Sequence, residues 1–249
     1  MTKYLLNWKT AILVFLLLTL FVGILFYSAF FAPNLNVNGN KKQYVFVYPN
    51  QTWNDVLLSL EESDIISCSM SYKMAVALKY SSTPPQTGKY DIESNLSNRY
   101  LLNRITHGLQ SRIILRLVSA RATSTVARNL CNQVMIDSTS LMERFHNPTL
   151  LDKYHLTTSN SLCLFLPFTK ETTWDIHIDE VMLLIESEYE QFWNEKRRKL
   201  AKNINLSPAE VHILASIVEE ETNNYEDKKM VAGLYLFIRD LWAKKKDAE

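Results

Sequence analysis

Three consecutive carboxylates, Glu219, Glu220 and Glu221, form the segment of this sequence that is best equipped for chemistry. They follow an apolar repeat that predicts an amphipathic helix. The buried face of that helix is formed by Val211, Leu214, Ala215 and Val218. At about 100° per residue, Glu220 points away from this face, whereas Glu219 and Glu221 fall on its two edges. A carboxyl group at such an edge is expected to be partly desolvated, which favours the protonated form that a general acid needs.

The same three residues also fit a solvated, acidic helix end that does no chemistry, and the residues alone favour this alternative. Glutamates at a helix C-terminus oppose the helix dipole, although each does so by less than about 1 kcal/mol. Their presence therefore hints that something other than stability placed them there.

The start of this helix is defined by three residues. Ser207 is a good N-cap, Pro208 suits the first helical position, and Glu210 can reach back to the cap to form a capping box.

The N-terminal part of the chain predicts a membrane helix. Ala11–Ala32 contains no charge, and at 1.5 Å per residue it spans roughly 30 Å, the thickness of the hydrocarbon core. Lys3 and Lys9 precede it, which favours a cytoplasmic segment 1–10 and a translocated C-terminal part. The alternative is a cleaved signal peptide. The apolar run is longer than the roughly 7–15 residues of the apolar h-region of a signal peptide, and it lacks a clear small-x-small cleavage site.

Composition excludes several classes of function. The formal net charge is +1, with 27 basic and 26 acidic side chains, so no footprint for nucleic acid is present. Cys68, Cys131 and Cys163 have no metal-ligand spacing, and we interpret them as buried free thiols. The five glycines form no phosphate-binding loop. Neither a metal nor a cofactor is predicted.

The middle of the chain predicts a small module behind a linker. Residues 33–42 contain Pro, Gly and Asn and read as the linker. Residues 43–108 predict the order β-α-α-β-α between Tyr44 and Thr106, with Gly108 ending the last helix. This order resembles LysM domains, which bind glycans containing N-acetylglucosamine. A spacer module without a ligand explains the pattern equally well.

The rest of the chain predicts mostly helices, so the overall fold class is α+β. Arg112–Val118 predicts a strand, and Leu162–Pro167 predicts a short buried strand or turn. Helical spacing is found in Thr123–Val134, Ser138–His146 and Asp179–Lys202.

Several motifs resemble those of the endolytic murein transglycosylases, the MltG or YceG-like family. The most specific match is Leu206–Thr222, which contains Ala-Ser-Ile-Val-Glu-x-Glu-Thr, followed by Val231–Tyr235. The supporting matches are Gly88-Lys-Tyr90, Gly108 with Gln110, and Leu164-Phe-Leu-Pro167 with Thr169.

This resemblance implies a membrane-anchored enzyme that cleaves nascent peptidoglycan. Glu219 would be the catalytic residue, with Glu221, Ser216 and Thr222 in supporting roles. The bond cleaved would join N-acetylmuramic acid to N-acetylglucosamine, and the product would carry a 1,6-anhydro ring. The implied location is the inner membrane with the bulk of the chain in the periplasm. Glycan strands would be the substrate, and peptidoglycan synthases would be candidate partners.

The sequence also departs from this family pattern. Lys170 stands where the family prefers Tyr, and Arg121–Thr125 stands where it has a Gly-x-Thr turn. After Leu236 the family motifs Asn-Arg-Leu, Gly-Met and Asp-Pro-Thr are absent. We therefore expect residues 109–249 to be only the N-terminal part of a truncated catalytic domain, inactive or nearly so. The alternatives are a glycan-binding or interaction protein without catalysis, and a structural anchor for a division complex.

Overall fold

The computed structural model describes residues 8–37 and 43–246. The chain divides into two compact units. The first unit comprises residues 1–113 and 171–175, and the second unit comprises residues 114–170 and 176–249. Among the described residues, helices dominate and the strands pair into two-stranded sheets, which agrees with the predicted α+β class.

The first unit begins with helix α1, Trp8–Phe30. Its segment Thr10–Phe30 has a mean hydropathy of 2.6 and is long and apolar enough to cross a membrane. Its side chains are exposed from Thr10 to Phe26, as expected of a surface that lipid covers. A signal sequence near the N-terminus can meet the same criteria of length and apolar composition. The helix ends two residues earlier than predicted. Phe31 and Ala32 both donate to the carbonyl oxygen of Tyr27, and Pro33, which has no N–H to continue the helix, begins the next strand.

The segment that follows α1 is not a linker where the structure describes it. Strand β1, Pro33–Leu35, pairs antiparallel with strand β4, Leu96–Ser97. Asn34, Leu35 and Val37 are buried. Asn34 misled the interpretation because a polar residue in a Pro- and Asn-rich segment suggests exposure, whereas its side-chain amide bonds to the backbone of another loop. The remainder of the predicted linker, residues 38–42, lies outside the described part of the chain.

The module in the first unit has the predicted order of elements. They are strand β2 (Gln43–Val47), α2 (Trp53–Glu62), α3 (Ser69–Ala75), a π-helical turn (Val76–Tyr80), strand β3 (Gly88–Ile92) and, after β4, α4 (Asn98–Thr106). Strands β2 and β3 pair antiparallel from Gln43–Ile92 to Val47–Gly88. A capping box begins α2, with the Asp55 carboxylate accepting from the backbone N–H of Thr52.

The second unit is mainly helical. Strands β5 (Ile113–Leu117) and β6 (Phe168–Thr172) pair with each other where the chain passes between the units. The helices are α5 (Thr123–Cys131), α6 (Ser138–Phe145), α7 (Pro148–Lys153), α8 (Ile178–Phe192), α9 (Glu195–Asn203), α10 (Pro208–Glu221) and α11 (Tyr225–Lys246). A 3₁₀ turn covers Ser161–Leu164 and overlaps Leu162–Pro167, for which a buried strand or turn was predicted.

The single helix predicted over Asp179–Lys202 is wrong. It is divided into α8 and α9 at Trp193, which is buried, and at Asn194, whose side chain accepts a hydrogen bond from the backbone N–H of Arg197 as an N-cap. An Asn at this position offers the backbone a new helix start. Residues 194–199 contain no apolar side chain, so apolar periodicity gives no signal at the break and does not show it.

Candidate active site

Helix α10 carries the carboxylates, and its start is formed as the sequence predicts. The Ser207 backbone N–H donates to Glu210 Oε2 at 2.7 Å, and the Glu210 N–H donates to Ser207 Oγ at 3.3 Å. The Ser207 hydroxyl also donates to Glu210 Oε2 at 2.7 Å, and the two bonds that Ser207 donates hold the pKa of the Glu210 carboxyl below its ordinary value. The capping box therefore fixes where α10 begins and so where its last turn lies.

The buried face of α10 differs in part from the prediction. Val218 is buried, and Val211 and Leu214 are half-buried, but Ala215 is exposed. Ala209, near the start of the helix, is buried instead. The predicted stripe is therefore correct at three of its four positions.

Glu219 is more exposed than the edge position suggested. Its side chain has 68% of its surface accessible, and its Oε2 lies 2.5 Å from Nζ of Lys228 on α11. The expectation that Glu219 is partly desolvated is therefore wrong in the described structure. The carboxylate is instead accessible to a ligand and paired with a cation.

Glu220 is solvated, as the helical phase predicts. Its side chain is 65% exposed, and both carboxylate oxygens accept from Nη2 of Arg121, at 2.7 and 2.9 Å. The Arg121 side chain is 87% exposed, so the pair stabilises the second unit by at most about 1 kcal/mol.

Glu221 is also exposed and accepts a hydrogen bond of 3.1 Å from the hydroxyl of Tyr235 on α11. This bond to the carboxylate raises the pKa of Tyr235, because the phenol must stay protonated to donate it. Each of the three glutamates thus contacts a different residue of the second unit.

Ser216 and Thr222 lie on the same turn of chain as the carboxylates but bond elsewhere. Ser216 is exposed and donates to the carbonyl oxygen of Ile213 at 2.7 Å. Thr222 is the C-cap of α10, and its hydroxyl accepts from the N–H of Asn224 at 3.1 Å. Neither bond involves Glu219, so any support from these residues would be through the shape of the helix end.

Lys228, Arg121 and Tyr235 contact the carboxylates, and the sequence interpretation did not select them. Arg121 was noted only because it begins a segment that departs from the family pattern. Lys228 lies nine residues after Glu219, and only the hairpin of α10 and α11 brings them together. A cation three or four residues away on one helix can be found by spacing, but one on a second helix cannot.

Two of the supporting motifs contact each other in the first unit. Gly88 has φ = +154°, and a Cβ atom there would lie 3.0 Å from the side chain of Gln110. Gln110 in turn donates to Asp175 at 2.7 Å. Tyr90 is fully buried and donates to the carbonyl oxygen of Gln86, and burial raises its pKa to about 12. Gly108, at φ = +63°, follows the end of α4 as predicted.

The third supporting motif is part of the core of the second unit. Leu164 and Phe165 are buried, and the Phe165 ring lies 4.3 Å from that of Phe145. Lys170, which replaces the family Tyr, pairs with Glu188 at 2.6 Å. The substitution therefore replaces an aromatic ring with a surface ion pair.

Within the described ranges, no group of three or more His, Cys, Asp or Glu side chains could hold a metal ion. The three cysteines are free, but the prediction that they are buried is correct only for Cys163. Cys131 is half-buried, and Cys68 is exposed because it precedes α3 at the surface. Burial raises the pKa of the Cys163 thiol.

The model of the YceG-like family matches residues 45–237, which includes both the module and α10, and the chain therefore belongs to the YceG-like family. Residues 238–249 lie beyond the match. A crystal structure of a yceG-like protein from Listeria monocytogenes is similar, with 14% sequence identity and a TM-score of 0.45. The similarity covers 77% of this chain and 68% of that one. A search of curated proteins finds no matching relative.

Proposed function

We propose that the chain is a membrane-anchored endolytic transglycosylase that cleaves nascent peptidoglycan strands. Membership of the YceG-like family, whose members act as murein transglycosylases, supports the class of reaction. The placement of Glu219 is the observation that supports assigning the catalytic role to this residue. It lies on the capped helix that contains the family motif, with its carboxylate open to a ligand.

In the proposed reaction, Glu219 acts first as an acid. Its carboxyl group gives a proton to the glycosidic oxygen as the bond to C1 of N-acetylmuramic acid breaks. The carboxylate then accepts the proton of the 6-hydroxyl of the same sugar as that oxygen bonds to C1. The 1,6-anhydro ring closes, and the carboxyl group is protonated again. No water is consumed, so a second carboxylate is not needed, in contrast to paired-carboxylate glycosidases.

Lys228 affects the two halves of this reaction differently. Its ammonium group favours the carboxylate, which is the form that accepts the proton in the second half. The first half needs the protonated form, so the pair must open or move when substrate binds. An ion pair as exposed as this one is worth about 0–1 kcal/mol, which is a small cost compared with a reaction barrier.

Helix α1 is proposed to be the anchor in the inner membrane, with the bulk of the chain in the periplasm. Positive charge before the apolar segment supports this orientation. A reporter that is active only in the periplasm, fused after Glu249, is expected to be active. Activity from a cytoplasmic reporter at the same position instead would overturn the orientation.

The activity of the 249-residue chain is expected to be low. General acids in glycosidases are desolvated by their surroundings, and Glu219 is not. The test incubates the purified protein with uncrosslinked nascent glycan and measures 1,6-anhydromuramyl ends by mass spectrometry. A parallel sample carries the corresponding segment of a YceG-like relative in place of residues 237–249.

The extended protein is expected to form anhydromuramyl ends, and the 249-residue chain to form few or none. Robust product from the shorter chain, lost in Glu219→Gln, would show that its site is already complete. If neither protein forms product, the proposed reaction is wrong for this chain.

A glycan-binding protein without catalysis is the second candidate function. Two observations favour it. Glu219 is not desolvated as a general acid would be, and the first unit contains the β-α-α-β-α module whose order resembles glycan-binding domains. It predicts that the 249-residue chain binds isolated glycan strands with the same affinity before and after Glu219→Gln, and that the extended protein releases no anhydro ends.

A further inference from the structure

The end of α1 is part of the core of the first unit. Ala29 is fully buried and Phe30 is 4% exposed, and both belong to the hydrophobic cluster of that unit. Only Phe31 and Ala32 separate the helix from strand β1, and both are hydrogen-bonded to Tyr27. The apolar helix therefore enters the unit with no free segment between them.

A buried polar network joins this helix end to the elements around it. Asn98 is fully buried, and its Nδ2 donates to the carbonyl oxygen of Ala29 at 3.0 Å and to Ser71 Oγ at 2.9 Å. Its Oδ1 accepts from Asn34 at 2.8 Å. Ser71 in turn donates to the carbonyl oxygen of Ser28 at 2.8 Å. A satisfied network of this kind fixes one geometry, because an alternative packing would leave buried polar groups without partners.

The length of the helix then sets the height of the unit above the membrane. Thr10–Phe30 contains 21 residues, or about 31 Å at 1.5 Å per residue. The hydrocarbon core is about 30 Å thick, so the far edge of the core coincides with Ser28–Phe30. These are the residues that the network holds inside the first unit, and tilting the helix would only bring the unit closer to the lipid.

We propose that the surface of the first unit around the exit of α1 contacts the phospholipid headgroups. This surface is defined by Phe31, Met70, Lys73 and Arg99. This proposal rests on the proposed membrane anchoring by α1 and adds a lipid contact to that anchoring. The surface directly adjoins the end of α1, and no chain segment separates it from the bilayer. Phospholipid headgroups are therefore the occupant that it is expected to contact.

The side chains on this surface suit the membrane interface. Phe31 is 46% exposed, and the Arg99 guanidinium lies 5.2 Å from the centre of its ring. Met70 is 70% exposed and directly precedes Ser71, which is bonded to α1. Aromatic rings and basic side chains with long apolar stems are enriched at the headgroup level, where one end is apolar and the other is wet.

The test places a spin label at Met70→Cys in the full chain, reconstituted in phosphatidylcholine bilayers, with a label at Leu58→Cys as the matched control. Leu58 is 54% exposed and lies on α2. Both labels are introduced after Cys68→Ser, Cys131→Ser and Cys163→Ala, and thermal unfolding of this background checks that it folds. Collision rates with oxygen, which partitions into lipid, and with a water-soluble nickel chelate are then measured.

The Met70 label is expected to have the higher ratio of oxygen to nickel collisions, and the ratio for the Leu58 label is expected to stay at the value for an aqueous site. Equal ratios at the two positions would overturn the inference. The intact mass of the membrane-extracted chain distinguishes failure of the proposed anchor from failure of the proposed lipid contact. A mass that lacks the N-terminal segment would overturn both proposals. An intact chain with a Met70 label at an aqueous site would overturn only the lipid contact.

Discussion

Lys228 places its ammonium nitrogen 2.5 Å from Oε2 of Glu219, so the proposed acid is paired with a cation of the following helix. The Glu219 side chain is 68% exposed and that of Lys228 is 27% exposed. Water screens this pair strongly, and its contribution to folding is about 0–1 kcal/mol. The contact therefore leaves Glu219 available to a ligand, and it orients the carboxylate across the hairpin of α10 and α11.

In the extended protein described above, Glu219→Gln is expected to abolish the formation of anhydromuramyl ends. The amide keeps the shape of the side chain but cannot transfer the proton, and general acid–base catalysis is worth about 10²–10⁴-fold. The matched control is Glu220→Gln, which removes a neighbouring carboxylate that faces Arg121. The rate of product formation is measured by mass spectrometry. Loss of activity in Glu220→Gln with retention in Glu219→Gln would mean that the assignment along α10 is wrong.

Local signals in the sequence predict much of the fold. The cap at Ser207, the cap at Thr52 and the glycine after α4 are each a property of a few adjacent residues. The strands that begin at Gln43 and Gly88 follow from β-rich runs with turn residues beside them. These elements are confirmed because the physical cause of each lies within a few residues of chain.

Other features depend on contacts that no local pattern contains. Asn34 is buried because Cys68 and Asn98 accept from its side chain, and they lie 34 and 64 residues away. The pairing of Glu219 with Lys228 needs the hairpin that follows α10. Ala215 shows the same limit. The helical phase predicts the direction in which its side chain points, but not whether another element packs against that side chain.

Gly88→Ala is expected to destabilise the first unit. Its φ of +154° is one that side chains rarely adopt, and a Cβ atom would lie 3.0 Å from Gln110. Positive-φ strain costs about 1–3 kcal/mol, to which the steric contact adds. Urea unfolding measures the change. In a background of Gln110→Gly, which also removes the Gln110 Cβ atom that would lie 3.1 Å away, the same substitution is expected to cost less. An equal cost in both backgrounds would show that the close contact contributes nothing and that only backbone strain matters.

The first unit is expected to lose stability below about pH 4, in part through Asp91. Burial would raise the pKa of this carboxyl, but hydrogen bonds from Ser111 and Arg104 outweigh it and lower the pKa overall. Arg104 Nη2 lies 2.7 Å from Asp91 Oδ1, and both side chains are largely buried. Because the folded pKa is the lower one, the stabilisation is full above the unfolded pKa of about 3.9 and is lost as the pH falls through the folded pKa.

Asp91→Asn is the variant that checks this expectation. It should lower the free energy of unfolding at pH 7 by about 1.5–3 kcal/mol, the usual value for hydrogen bonds to a charged group, and should flatten the dependence on pH between 5 and 3. Urea unfolding at several pH values measures both. A variant whose pH dependence matches that of the unmodified chain would assign the acid sensitivity to other carboxyls.

Asn98→Leu is expected to loosen the attachment of α1 to the first unit. Leucine has a similar volume but cannot donate to the Ala29 carbonyl and Ser71 or accept from Asn34, so three groups each lose a hydrogen bond. An unsatisfied buried polar group costs about 1–3 kcal/mol, which predicts a marked loss of thermal stability in detergent micelles.

The control for Asn98→Leu is Asn103→Leu, on the same helix but at an exposed position. It is expected to change the unfolding temperature little. In bilayers, Asn98→Leu should also move the Met70 spin label toward the aqueous collision ratio, because only one bond of the network, from Ser71 to the Ser28 carbonyl, then joins α3 to the helix end. If the unit is destabilised while the label stays at the headgroup level, packing of Ala29 and Phe30 alone is sufficient to hold the unit on the membrane, and the polar network contributes only to folding.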